Sequence, residues 1–349
     1  MFYLTYRPNK LEEIDNSNVQ KTIESILKSK KLPHAFLFVG QKGTGKTSAA
    51  RIFAKSINCL ENSFAGKGTS VEPCNTCKNC HSIDKSSSSD VVEMDAASHR
   101  GIDEVRALIK ESSLLPMHCD YRVFIIDEAH MITNDAFNAL LKTLEEPPET
   151  VIFILATTNM EKVPKTIQSR CVIINFKKAK KDDVVKMLKR VSKAENLEIE
   201  PKLLELIANN SEESFRDAAK LLEELVIQKK LTFKEGETYL GILGKEHLLE
   251  VLHKKDLKET LTWIEEFSTA GGNVKYLIEQ ILEELRILLL AKNGIRKEER
   301  EPLNVNFSLI ELSRLIKLFQ EAYNNLKNTP VEIIPLEIAV VDFYNSRKN

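Results

Sequence analysis

The sequence predicts an α/β fold: a parallel, doubly wound sheet followed by helical segments. Three observations predict it. Short apolar runs alternate with helical patterns through the first half of the chain. One of these runs passes into a glycine-rich loop that opens a helix. From about Phe176 the strand signal stops, and apolar residues recur only at helical spacing.

The first strand is Ala35-Phe36-Leu37-Phe38-Val39, and the loop is Gly40-Gln41-Lys42-Gly43-Thr44-Gly45-Lys46-Thr47. A helix-compatible run from Ser48 to Cys59 follows. Glycines let the backbone curl so that several N–H groups point at one anion. The helix starting near Lys46 adds its positive end. In that pattern Lys46 reaches the β- and γ-phosphates of a nucleotide, and the Thr47 hydroxyl binds Mg2+. A glycine-rich turn with a chance lysine is the bland alternative; eight matching residues between a strand and a helix count against it.

Further strands are expected at Val91–Met94, Val123–Ile126, Val151–Leu155 and Val172–Ile174. All are near-continuously apolar, as strands covered on both faces must be. Helices are expected at Ile102–Glu111 and Asp135–Glu145, the second capped by Thr133 or Asn134 and stopped by Pro147-Pro148. The third strand runs into Asp127-Glu128. Beside a phosphate loop, Asp127 would hold Mg2+ through water, and Glu128 would orient and deprotonate an attacking water. Asp127-Glu128-Ala129-His130 also spells one helicase box, but the companion boxes are missing, so His130 reads as a structural hydrogen-bonding residue. The fourth strand ends in Thr157-Thr158-Asn159. A hydroxyl there suits a γ-phosphate or lytic water, although a turn or helix cap explains these residues equally well. By spacing alone, Arg170 is a solvated surface arginine and Arg216 an ordinary helix residue.

Cys59, Cys74, Cys77 and Cys80 form a second constellation. Three thiols recur two residues apart, and Cys59 at the end of the loop helix supplies a fourth. Four thiolates suit a tetrahedral, structural Zn2+, and the Gly-, Ser- and Asn-rich segment between them has little core of its own. His81 is an alternative to Cys59 as fourth ligand. Free thiols or a redox pair are the rival readings. Cys119 and Cys171 stand alone and read as inert.

Three divisions follow: residues 1–175 for the sheet domain, with the cysteine module at 59–80; a small helical domain at 176–242; and a third helical segment at 243–349. In the last, runs at Tyr276–Leu290 and Leu309–Leu326 flank a charged loop, Lys297–Glu301. The chain has 349 residues, with 50 Lys and Arg against 51 Asp and Glu, a net charge of −1. A near-neutral chain does not coat nucleic acid; any DNA contact must come from a local patch or an assembly. Arg100, after Ala97-Ser98-His99, is a candidate for such a contact. No apolar run approaches a membrane span, so no membrane partner is expected. The first residues lack a signal-peptide layout, and six cysteines beside a nucleotide loop point to the reducing cytoplasm.

Together these residues resemble the AAA+ family, and closely its bacterial clamp-loader ATPases. The resemblance is carried by His34–Phe38, the loop at 40–47, the four cysteines, Glu93–Ser98, Ile126–Met131, Phe137–Pro148, Leu155–Asn159 and Pro164–Cys171. It covers most of residues 34–175 and extends more weakly through Arg216-Asp217-Ala218. It implies an ATPase that couples ATP and Mg2+ to loading of a sliding clamp on primer–template DNA during replication. It implies a hetero-oligomeric ring with other loader subunits, five in all. Arg170 would be an arginine finger reaching a neighbour's ATP, and Arg216 a sensor on the ATP of its own subunit. Thr157 or Thr158 would be the first sensor, the cysteines a zinc module, residues 176–242 a lid and residues 243–349 a collar. Tyr6-Arg7-Pro8 fits the family near the adenine. The family's Val-Gly-Gln box is not recognisable at Asp15-Asn16-Ser17-Asn18, and its Gly-Ser before the sensor arginine is Glu213-Ser214 here. Two rivals stand beside this reading: a related motor such as a branch-migration ATPase, which the four-cysteine module argues against, and a non-hydrolysing scaffold subunit of the loader, which intact Lys46, Asp127 and Glu128 argue against.

Overall fold

The computed structural model describes residues 1–99, 101–211, 213–240, 247–269, 271–294, 305–326 and 329–347. Arg100, the Lys297–Glu301 loop and the expected boundary at residues 242–243 lie outside the described residues. The chain divides into two compact units, Met1–Leu197 with Ile207–Glu224, and Glu198–Leu206 with Leu225–Asn349.

The first unit is built on five parallel strands: β1 Ala35–Gly40, β2 Val91–Asp95, β3 Arg122–Asp127, β4 Val151–Thr157 and β5 Val172–Phe176. Their order across the sheet is β2-β3-β4-β1-β5. All five expected strands are therefore present. The helices of this unit are α1 Phe2–Thr5, α2 Ser17–Ser29, α3 Lys46–Asn58, α4 Lys78–Asp84, α5 Ile102–Ser112, α6 Asn134–Glu145, α7 Lys165–Gln168 and α8 Lys181–Ala194. They are followed by α9 Pro201–Asn209 and α10 Phe215–Ile227, each of which crosses from one unit to the other.

Alternation along the strands sorts the core into two layers. Phe36, Phe38, Ile152 and Ile154 face a cluster that takes in Ile52 and Phe53 of α3. Leu37, Phe124, Phe153 and Leu155 face another that takes in Val105 and Leu108 of α5 and Phe137 and Leu140 of α6. Helices thus cover both faces, as a doubly wound sheet requires.

Coverage on both faces holds for β1, β3 and β4 but not for the edges. Val172 and Ile173 of β5 are 38% and 37% exposed, and the middle of β2 is half-buried. An apolar run does not encode whether its strand ends with one neighbour or two. Thr133, rather than Asn134, caps α6 by accepting the Ala136 N–H, and the helix ends at Glu145, with Glu146 as its C-cap before the two prolines. Asn16 caps α2 by accepting the Val19 N–H.

The second unit is helical, with α11 Phe233–Tyr239, α12 Leu248–Lys254, α13 Leu257–Thr269, α14 Val274–Lys292, α15 Leu309–Asn325 and α16 Ile334–Arg347. Its core gathers Trp263, Phe267, Ile278, Leu285, Phe307, Phe319 and Phe343. A capping box at Ser308 and Glu311 starts α15. Among the described residues no helix is long and apolar enough to cross a membrane.

Candidate functional site

The loop after β1 turns on Gly43 and Gly45, with φ of 79° and 95°. Side chains rarely adopt that left-handed region, so the turn needs glycine. A Cβ on Gly43 would also lie 2.1 Å from Ser214 Oγ, because the start of α10 presses directly on the loop. Thr44 Oγ1 donates to Gln41 O at 2.8 Å. Lys46 Nζ donates to the carbonyls of Gly40 and Gln41 at 2.8 and 2.9 Å, folding back across the loop. Burial lowers the Lys46 pKa, and the nearby carboxylates of Glu128 and Asp127 oppose that shift.

Sheet order brings the acidic end of β3 to this loop. Thr47 Oγ1 donates to Asp127 Oδ2 at 2.6 Å. A hydroxyl and a carboxylate converging in this way are the donor types that a hard divalent cation takes. Glu128 follows with φ of 47°, a left-handed turn that takes its side chain out of the strand's alternation. Its Oε2 accepts a hydrogen bond from Thr158 Oγ1 at 3.1 Å and lies 3.4 Å from His130 Nδ1. Thr157 is fully buried; its hydroxyl is 3.2 Å from His130 Nδ1 and donates to Asn159 O at 3.1 Å. His130 therefore bridges the neighbourhoods of the two threonines, consistent with a hydrogen-bonding role.

A cavity of about 540 Å³ opens over the loop, lined among others by Arg7, Lys46, Thr47, Asp127, Glu128 and Arg216. Its volume falls within the range of sites for small ligands and cofactors. Tyr6-Arg7-Pro8 lines the same cavity.

Several cavity residues carry no spacing signal. Arg7 Nε donates to Ser48 Oγ at 2.7 Å, and burial lowers its pKa. Arg51 of α3 pairs with Glu93 of β2, its Nη2 2.6 Å from Oε2. Asp15 pairs with Arg190 at 3.2 Å, and burial still pushes its pKa up to about 6. Only contacts between distant segments reveal these pairs.

The structure does not bring Arg170 to this cavity. It follows α7, donates through Nη1 to Thr166 O at 2.7 Å and pairs through Nη2 with Glu145. Arg216, on the first turn of α10, does line the cavity.

The thiols of Cys59, Cys74, Cys77 and Cys80 converge, with their sulfurs within 4.8 Å of one another. Backbone N–H groups already point at them: Cys74 N to Cys59 Sγ at 3.3 Å, Cys77 N to Cys74 Sγ at 3.2 Å and Cys80 N to Cys77 Sγ at 3.5 Å. Such donors stabilise thiolates. Burial opposes ionisation of Cys74, yet hydrogen bonds from the Thr76 hydroxyl and from the Thr76 and Cys77 N–H groups hold its pKa down to about 6, whereas at Cys59 and Cys80 burial prevails and pushes the thiols up. Four close sulfurs with this N–H pattern fit a tetrahedral thiolate site. His81 is exposed and is not part of the cluster. Burial pushes the Cys119 and Cys171 thiols up to about 12, which disfavours the thiolate form. The cluster is tied to the loop helix by Lys55 of α3. That side chain is 1% exposed and bonds to Asp84 Oδ1 and Asn75 Oδ1, both at 2.8 Å.

These features define a class. The phosphate-loop strand and the acid-bearing strand flank one intervening strand, with a cofactor-sized cavity at their carboxyl ends, which is the P-loop arrangement of AAA+ folds. The Holliday junction branch migration motor RuvB of Thermotoga maritima shares this fold. It has a TM-score of 0.50 and 20% identity, covering 79% of this chain and 91% of that one. A family profile described as DNA polymerase III, delta subunit matches residues 15–180.

The DNA polymerase III subunit gamma of Buchnera aphidicola subsp. Baizongia pistaciae is 35% identical over 82% of this chain and 78% of that protein. The DNA polymerase III subunit tau of Bacillus subtilis is 38% identical over 97% of this chain. The chain belongs to the DNA polymerase III gamma/tau family. It spans 62% of the Bacillus subtilis protein and 59% of the Mycoplasma genitalium gamma/tau subunit.

Proposed function

We propose that this chain is the ATP-hydrolysing subunit of a DNA polymerase III clamp loader. It couples ATP binding and hydrolysis to the loading of a sliding clamp on primed DNA. The observation that carries this reading is the convergence of Lys46, Thr47, Asp127 and Glu128 on one cavity in a chain of this family. A scaffold subunit would not need all four. Likeness to a branch migration motor at 20% identity reaches only as far as the fold.

In this reading Lys46 leaves the carbonyls of Gly40 and Gln41 for the β- and γ-phosphates, and the amides of residues 40–47 hold the remaining oxygens. Thr47 and Asp127 would hold Mg2+, which would supply positive charge to the phosphates. Glu128 takes the proton of the attacking water, positioned with Thr158 or Thr157 as first sensor. Arg216 touches ATP bound in its own chain, and Arg170 reaches the site of a neighbouring subunit. Residues 176–242 act as a lid and residues 243–349 as a collar joining the ring. The test is ATP turnover by the purified chain with its partner loader subunits, with and without clamp and primed DNA. Stimulation by clamp and DNA together supports the reading; turnover indifferent to both rejects it.

For the cysteines the reading is one structural Zn2+. Mass spectrometry of the native chain is expected to find about one zinc per chain. Replacement Cys77→Ser should release it and lower the thermal midpoint by on the order of 10 °C. A metal-free chain with an unchanged midpoint would rule out the clip.

A further inference from the structure

Arg216 rests on an aromatic ring rather than on a carboxylate. Its guanidinium carbon lies 4.8 Å from the centroid of Tyr3, and the ammonium of Lys220, one turn further along α10, lies 5.7 Å from the same ring. Among the described residues Arg216 has no ion pair. The ring is held in place by its own short helix. Phe2 N donates to Glu223 Oε2 at 3.1 Å, Phe2 meets Tyr6 edge to face, and the Tyr6 hydroxyl donates to Glu195 Oε1 at 2.5 Å. Tyr3, Gly43 and Arg216 all border the cavity, and Gly43 is in contact with Ser214, two residues before Arg216. A phosphate on the loop would therefore form within reach of a guanidinium already engaged elsewhere.

We propose that Tyr3 is a positioning residue. Its ring holds Arg216 at the cavity mouth and competes with the terminal phosphate of ATP for the guanidinium. The inference rests on the nucleotide reading above and adds to it a built-in competitor. A cation over a ring at a partly exposed site is worth about 0.5–1 kcal/mol, which corresponds to roughly a two- to fivefold change in an equilibrium constant.

The test is the dissociation constant of a fluorescent ATP analogue measured on the full chain, with a thermal melt of each variant. Tyr3→Leu should tighten binding by roughly two- to fivefold. Tyr3→Phe, which keeps the ring, should bind as the unmodified chain does. In an Arg216→Ala background, Tyr3→Leu should change nothing, because the competition needs the guanidinium. Unchanged or weaker binding in Tyr3→Leu, or the same change without Arg216, overturns the proposal. If the unmodified chain binds no nucleotide, it is the underlying site reading that fails.

Discussion

Arg170→Ala is expected to cut stimulated ATP hydrolysis by on the order of 10³-fold while ATP affinity stays within about twofold. The affinity expectation follows from position: Arg170 is absent from the cavity of its own chain. The rate expectation follows from comparing two energies. The contact with Glu145 is a surface pair, with the two side chains 33% and 48% exposed. Pairs of that kind contribute about 0–1 kcal/mol. An arginine that stabilises a phosphoryl-transfer transition state lowers the barrier by about 4 kcal/mol or more. Giving up Glu145 costs far less than the finger gains. Undiminished stimulated turnover in Arg170→Ala would remove the trans role.

Glu128→Gln is expected to lower turnover by roughly 10²- to 10⁴-fold, again with ATP affinity preserved, so that the chain accumulates in its ATP-bound state. Glutamine keeps the shape and can still accept the Thr158 hydrogen bond, but it cannot take a proton from water. The two variants differ in whose site they spoil. Under the proposed roles, Arg170→Ala would leave its own site whole and fail its neighbour, and Glu128→Gln would do the reverse. Where two copies adjoin in a loader, mixing the variants should restore turnover that neither supports alone, because a Glu128→Gln chain still offers Arg170 to an intact site. Single-turnover phosphate release from the mixture reads this directly. No recovery, with assembly intact, would contradict a shared site.

What the sequence reveals depends on how local the determinant is. The strands at Ala35, Val91, Val123, Val151 and Val172 are legible because each is a short apolar run with its own boundaries. Their order is not, since pairing β1 with β4 and β5 joins segments more than a hundred residues apart. Exposure of Val172 and Ile173 is hidden for the same reason. The phosphate loop is legible because its eight residues are covalent neighbours, and the thiol cluster because three members recur at fixed spacing. The Thr47–Asp127 contact could be expected only from a motif pairing that presupposes the sheet. Arg7 on Ser48, Arg51 with Glu93, and Arg216 over Tyr3 left no trace in spacing, because each is made by a fold that single residues do not encode.

Lys55 joins the phosphate loop's helix to the cysteine cluster. A lone ammonium shut away from water is expensive unless its partners stay in place. Here one partner, Asn75, adjoins Cys74 and the other, Asp84, ends the helix that carries Cys80, while the lysine belongs to the helix that begins at the phosphate loop. Loosening either end therefore taxes the other. If the cysteines hold zinc as proposed, reciprocity of linked equilibria has a chain saturated with nucleotide retain more of that metal, at equilibrium with a chelator, than an empty one. A structural clip far from the chemistry would then double as a gauge of occupancy, and equal metal retention at equilibrium would show the two ends to be independent.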